Sequence, residues 1–213
     1  MNEEELFFCP LGGSGEIGMN MNLYAYGNEN EKKWIIVDMG VAFADEAIPG
    51  VDLILPDAGF IVEKKEDLLG IVLTHAHEDH IGSVSHIWPS LKCKLYATPF
   101  TAALIVEKFK EKKIDISPYL NVVALNSKIK LGHFEIDFVT LTHSILEPNG
   151  LCIKTPVGTI LHTGDWKIDP NPLIGKKIDE EKLKKIGDDG VAAMICDSTN
   201  VFSPGRAGSE SEV

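Results

Sequence analysis

Four potential metal ligands, His75, His77, Asp79 and His80, fall within six residues of the segment Thr74-His75-Ala76-His77-Glu78-Asp79-His80. They follow directly on the apolar run Ile71-Val72-Leu73. Gathering three imidazoles and a carboxylate at the edge of a hydrophobic core is costly unless something binds them. Nitrogen and carboxylate donors without thiolates suit Zn²⁺, with Mn²⁺ as the alternative. At this spacing His75 and His77 can project toward one metal. Asp79 and His80, at the turn into the next helix, can face a second.

Such a cluster must be held by elements that the rest of the chain supplies. Short runs rich in Ile, Val, Leu and aromatic residues predict strands at 6–11, 21–26, 34–38, 70–74, 95–98, 121–125, 134–141, 151–155, 159–162 and 191–196. Helical periodicity is visible in Ile81, Val84, Ile87 and Trp88. It recurs across 101–113, with Leu104, Ile105, Val106 and Phe109 on the apolar side, and in the charged stretch 179–186. Many strands with interspersed helices predict a layered α/β sandwich. The tail, Ser209-Glu210-Ser211-Glu212, reads as the capped start of a helix.

A second motif is a decoy. Gly13-Ser14-Gly15-Glu16-Ile17-Gly18 satisfies G-x-G-x-x-G and has Asp38 twenty residues after it. A dinucleotide site needs a helix directly after the glycines, so that its amides meet the pyrophosphate. Here Met19, Met21, Leu23 and Ala25 alternate with the period of a strand, and the polar stretch 28–33 turns it back into Trp34–Asp38. No nucleotide cofactor is therefore expected.

Composition sets outer bounds. The chain has 213 residues with 20 Lys+Arg against 32 Asp+Glu, a net charge of −12, and 44% hydrophobic residues. That is ordinary for a globular domain, and no apolar run has the length of a membrane span. The acidic start, MNEEELFF, lacks the basic region of a secretory signal, so a cytoplasmic protein without membrane partners is expected. An acidic chain counts against phosphate binding. Cys9, Cys93, Cys152 and Cys196 form no Cys-x-x-Cys pair and sit in apolar runs, which reads as four core residues.

The pattern H-x-H-x-D-H over residues 75–80 closely resembles the signature of the metallo-β-lactamase superfamily, whose fold is an αββα sandwich. That resemblance implies further ligands. His143, after the strand 134–141, looks like a third histidine of the first metal site, and Asp165 in Leu161-His162-Thr163-Gly164-Asp165 like the carboxylate bridging two cations. Asp38, ending the run Ile35-Ile36-Val37, matches an early aspartate that orients a ligand histidine. His86, His133 and His162 match no ligand position.

Three more stretches resemble the ribonuclease J family of the β-CASP nuclease branch. They are Gly12–Asn20, Ile48–Asp57, and Asp197-Ser198-Thr199-Asn200 with Pro204-Gly205-Arg206 and Ser209-Glu210. The resemblance implies RNA as substrate, two Zn²⁺ ions (or Mn²⁺), and endonucleolytic and 5′-to-3′ exonucleolytic hydrolysis. It implies a metallo-β-lactamase part over 1–197, incomplete on its C-terminal side, and a junction over 198–213 toward a β-CASP domain. On that reading a complementary β-CASP-containing fragment is an expected partner, and activity of these 213 residues alone would be impaired. A glyoxalase II-like small-molecule hydrolase would use the same ligands, and a non-catalytic metal-binding remnant would retain them.

Overall fold

The computed structural model describes residues 3–44, 46–205 and 207–212. Arg206 of the junction motif thus lies outside the described residues, as do 1, 2, 45 and 213. The chain divides after Val123 into two compact units.

The first unit is built on a six-stranded sheet. It opens with β1 (Glu5–Gly12), β2 (Met21–Gly27) and β3 (Lys32–Val37), which pair antiparallel in sequence order. The glycine motif is therefore a loop between β1 and β2, and a strand follows it. Both faces of β2 are buried, with Leu23 and Ala25 on one side and Tyr24 and Tyr26 on the other. The alternation expected there thus marks a central strand covered twice. A small hairpin, β4 (Ala42–Phe43) with β5 (Leu53–Ile54), and α1 (Gly59–Glu63) lead to β6 (Leu68–Val72), parallel to β3.

Two more parallel crossovers complete the sheet. The first holds α2 (Glu78–Ile81) and α3 (Val84–Leu91) and leads to β7 (Leu95–Ala97). The second holds α4 (Pro99–Glu111) and leads to β8 (Leu120–Val122). Pro99 opens α4 after the extended Thr98, where its missing N–H costs nothing. The buried line of α4 is Ala102, Ile105 and Phe109, whereas Leu104 is exposed, which corrects the expected apolar side. Phe109 and Tyr119 meet the indole of Trp88 edge-on, at centroid distances of 5.3 and 4.9 Å.

The second unit is a five-stranded sheet. β9 (Lys128–Leu131), β10 (Phe134–Thr140), β11 (Asn149–Thr155) and β12 (Gly158–His162) form an antiparallel meander. The helix α5 (Glu180–Asp189) then crosses to β13 (Ala193–Ile195), parallel to β12. Asp179 caps α5 by accepting from the Lys182 N–H at 3.0 Å. Leu183 and Ile186 dock against Val139 and Cys152, and Lys182 ties the helix to Asp137 at 2.6 Å and to the Phe138 carbonyl at 2.8 Å. Of the four cysteines only Cys152 is buried and Cys196 is exposed, so the reading of all four as core residues does not hold. The 209–212 tail forms a 3₁₀ turn, Glu210–Glu212, with the Glu212 carboxylate accepting from the Ser209 N–H at 3.1 Å.

Beneath α5 lies an apolar cavity of about 220 Å³, lined in part by Leu141, Leu161, Trp166, Ile186 and Gly187. A Cβ at Gly187 would meet nothing within 4 Å. Alanine there removes the entropic cost of a helical glycine, about 0.5–1 kcal/mol. Gly187→Ala should therefore raise the thermal midpoint by about 1–4 °C in a melt followed by circular dichroism; a lower midpoint would contradict the packing of α5.

Candidate functional site

In a parallel sheet the carboxyl ends of the strands are where loops can present chemistry. In the first unit the ends of β3 and β6 lie side by side, with the Asp38 N–H donating to the Val72 carbonyl at 3.0 Å. Asp38 is fully buried and holds a positive φ of 63°, a left-handed conformation that aspartate tolerates better than most residues. Its carboxylate accepts three bonds, each of 2.8 Å: from the Thr74 N–H, from the Thr74 hydroxyl, and from Nδ1 of His80.

Those bonds orient the histidines. A carboxylate accepts and does not donate, so His80 carries its proton on Nδ1 and turns the lone pair of Nε2 outward. The Thr74 hydroxyl, having given its proton to Asp38, is left to accept. His75 Nδ1 lies 3.0 Å from it and takes the same tautomer. One buried carboxylate thus sets the proton positions of two imidazoles. His75 Nε2 lies 3.2 Å from His77 Nδ1, and the His75 and His80 rings approach to 4.1 Å between centroids. Asn20 reaches the other side, its amide 3.2 Å from His80 Nε2 and 3.4 Å from Asp79 Oδ2.

Backbone contacts lock this arrangement. The loop after β3 runs alongside the start of α2, Met39 N–H donating to the His80 carbonyl at 2.7 Å and Val41 N–H to that of Glu78 at 3.0 Å. Gly40 lies between them, so close that a Cβ would sit 1.6 Å from the Asp79 carbonyl oxygen. From outside, Lys108 of α4 grips both carboxylate oxygens of Glu78 at 2.6 Å.

In the second unit Thr142 and Lys167 form an isolated antiparallel bridge. It pins the loop after β10 to the one after β12, and His143 Nε2 comes within 3.5 Å of Asp165 Oδ2. Both side chains are largely covered but still reach solvent. Asp169, fully buried, accepts from the N–H groups of Asn171 and Glu210 at 2.9 and 2.8 Å and from the Ser209 hydroxyl at 2.7 Å. The Lys167 ammonium stands 3.2 Å from it.

The donor types fit a divalent cation. His75 with His77, Asp79 with His80, and His143 with Asp165 each offer ligand atoms within 4.8 Å of one another. Comparison with known proteins agrees. The profile of the metallo-beta-lactamase superfamily matches residues 20–177.

The chain belongs to the metallo-β-lactamase superfamily.

Its fold is the metallo-β-lactamase fold, a mixed α/β architecture. A crystal structure of a protein of unknown function from Enterococcus faecalis V583 aligns with a TM-score of 0.63 at 18% identity, over 98% of this chain and 53% of that one. A quorum-quenching N-acyl homoserine lactone lactonase aligns with a TM-score of 0.51 at 19% identity, over 92% of each. In sequence the chain is 46% identical over 213 residues to ribonuclease J of Sinorhizobium meliloti, covering 99% of this chain and 37% of the relative. It is 36% identical to ribonuclease J of Thermus thermophilus, with the same coverage of each. The chain thus spans about a third of the length of these curated relatives.

Within the first unit the metallo-β-lactamase fold brings Asp38, His75, His77, Asp79 and His80 together, and within the second it pairs His143 with Asp165. His86 and His133 are exposed, and His162 is buried. Sequence reasoning missed Asn20, Thr74, Gly40 and Asp169. Asn20 and Thr74 stood at the edges of quoted motifs. Asp169 had no signal at all, because its partners lie forty residues away at Ser209 and Glu210.

Two outcomes follow. Gly40→Ala forces the backbones at 40 and 79 apart, a cost of about 1–3 kcal/mol or more. The thermal midpoint should fall, and amide exchange at residues 78–82 should accelerate. Asp169 is held below its ordinary value of 3.8, first by the Glu210 N–H, then by the Ser209 hydroxyl, the Asn171 N–H and Lys167, while burial opposes them. A depressed carboxylate stabilises the fold above its unfolded value and loses that contribution as pH falls through the folded one. Protection of residues 209–212 against exchange, relative to the unfolded chain at the same pH, should hence be high at neutral pH and fall as pH drops below about 3.8, while Asp169→Asn should lack it throughout; equal protection at neutral pH would remove the anchor.

Proposed function

We propose that the chain is the metallo-β-lactamase part of a ribonuclease J-like enzyme, a metal-dependent hydrolase of RNA phosphodiesters acting endonucleolytically and from the 5′ end. The 46% identity to a curated ribonuclease J over 213 residues carries this reading. The donor set supports it, because imidazole and carboxylate groups without thiolates hold the cations that phosphodiester hydrolysis uses. Residues 1–197 constitute the metallo-β-lactamase part, and 198–213 the junction toward a β-CASP region. That region is the proposed partner in holding RNA.

In this assignment His75, His77 and His143 would hold one cation, Asp79 and His80 a second, and Asp165 would contribute to both, with Zn²⁺ as the metal and Mn²⁺ as the alternative. Such cations supply a nucleophile at neutral pH and neutralise charge building on the phosphate. The chain's own contribution is orientation. Asp38 is a positioning residue: it fixes the Nδ1 proton of His80 and, through Thr74, that of His75, so both present Nε2 with no tautomer change on binding. Asn20 holds the Asp79 carbonyl at 3.1 Å and steadies the turn between the ligands.

Among the described residues no helix is long and apolar enough to cross a membrane. The place of action proposed for the enzyme is the cytoplasm.

The test is hydrolysis of 5′-monophosphorylated RNA by the 213-residue chain, alone and with a β-CASP-containing fragment supplied in trans. Chelator and His77→Ala should each abolish cleavage. Asp38→Asn should weaken cation binding by about 10–100-fold, with activity recovering at high metal concentration. Turnover of a thioester in place of RNA would overturn the nuclease reading, as would a chain that binds metal but cleaves nothing with either addition.

A further inference from the structure

At the amino ends of β6, β7 and β8, the end of the first unit's sheet opposite the proposed ligand residues 75–80, lies an open groove of about 810 Å³. Leu68 and Leu69 open β6 there, whereas His75 follows the far end of that strand, about 20 Å away at the rise of extended chain. None of the groove's lining residues belongs to the proposed metal set.

Its charge runs against that of the protein. The chain carries 20 basic residues to 32 acidic ones, yet the groove presents Lys65, Lys92 and Lys94 against Glu66 alone. Among the described residues, none of the three lysines has a carboxylate partner within ion-pair distance, although Lys33, Lys108, Lys128, Lys130 and Lys182 all do. Unpaired cations grouped in one concavity of an acidic protein form a local anion trap.

The backbone beneath them is rigid. The Trp88 indole donates to the Cys93 carbonyl at 2.8 Å, the Ile71 N–H bonds the Lys94 carbonyl at 2.9 Å, and Asn121 bridges the Leu95 and Tyr119 carbonyls. Lys92 itself closes α3 with a φ of 50°, in the left-handed position where helices favour glycine. The other wall is aromatic and apolar. Tyr119 is partly exposed on its open side and backed by Trp88, with Pro118 beside it. Cys93 adds no reactivity, since burial pushes its thiol up to about 12.

We propose that this groove binds a nucleotide, with its phosphate on Lys65, Lys92 and Lys94 and its base against Tyr119. An aromatic face next to unpaired lysines is the pairing that single-stranded nucleic acid and mononucleotides share. The site is independent of the metal-dependent hydrolysis proposed above and stands even if that reading fails.

The experiment is calorimetric titration of the purified 213-residue chain with adenosine 5′-monophosphate and with a short 5′-phosphorylated oligoadenylate. Saturation by the mononucleotide identifies a free-nucleotide site; saturation by the oligonucleotide alone identifies a strand site. Lys92→Gly should weaken binding by about threefold without lowering the thermal midpoint, because glycine relieves the left-handed strain. The triple variant Lys65→Ser, Lys92→Gly, Lys94→Ser should weaken it by about tenfold and flatten its dependence on salt. Ribose 5-phosphate, which lacks a base, should compete about tenfold less well than the mononucleotide. The proposal fails if neither probe binds, if the triple variant binds as the parent does, or if Lys128→Ser with Lys130→Ser causes an equal loss. Equal competition by ribose 5-phosphate would overturn the stacking half.

Discussion

A carboxylate buried without compensation costs several kcal/mol, and the fully buried Asp38 avoids that cost only because both of its oxygens are met by donors. That requirement reaches far into the first unit. Two donors come from Thr74, two residues beyond β6, and the third from His80 on α2, so strand end and helix must keep their mutual placement for the charge to remain solvated. His75 and His80, proposed as metal ligands, are consequently held by the need to satisfy Asp38. Substituting a neutral acceptor would leave the shape nearly intact and change the protons, which is why the carboxylate's influence is chemical before it is structural.

The second constraint is steric. Asp38 can reach His80 only if the loop after β3 lies against the start of α2, and the backbone bonds from Met39 and Val41 require near contact of the two chains. Gly40 makes that contact available. Gly12 has the same function at the β1–β2 loop, where a Cβ would meet the Met19 carbonyl at 2.1 Å. Gly12 and Gly40 are spatial requirements of two backbones, whereas Gly15, with nothing within 4 Å of its Cβ position and a φ of 77°, is a conformational requirement of the G-x-G-x-x-G motif. Its loop brings Asn20 to Asp79 and His80. The loop thus supports the turn that carries Asp79 and His80.

What could be read in the sequence was what is local. The donors crowded at 75–80, the strand period after the glycines and the capping pattern at 209–212 each involve residues a few positions apart, and each is visible as spacing or period, although Asp38 and Asp169 hold the first and last of them in place. Closure of elements over distance left no such trace. The strand β9, Lys128–Leu131, alternates Lys with Ile and Leu over only four residues and gains its identity from pairing with β10. The apparent single helix from Ile81 to Trp88 is two, because the N–H of Ser83 bonds the Met39 carbonyl and interrupts the helical path. The roles of Asp169 and Thr74 were hidden for the same reason: hydrogen bonds between distant segments have no period. His143 and Asp165 were found only through resemblance, since a lone histidine or a Gly-Asp pair carries no chemistry by itself.

The charge balance acquires meaning once ion pairs are separated by burial. Lys182 with Asp137 and Lys108 with Glu78 join helices to the segments beneath them, and both lysines are largely covered. Pairs such as Lys110 with Glu107 lie open to solvent and contribute little. The acidic excess includes Asp79 and Asp165, proposed here as ligands, and two bound divalent cations would bring the formal charge from −12 to about −8. Cation loading and attraction for a polyanion are therefore linked in the proposed enzyme. In that proposal an unloaded chain would repel RNA from the residues proposed to act on it, so metal binding would prepare the field for substrate as well as the chemistry. The groove of Lys65, Lys92 and Lys94 at the amino ends of β6, β7 and β8, proposed above as a nucleotide site, would offset part of that repulsion without placing positive charge among the proposed ligands.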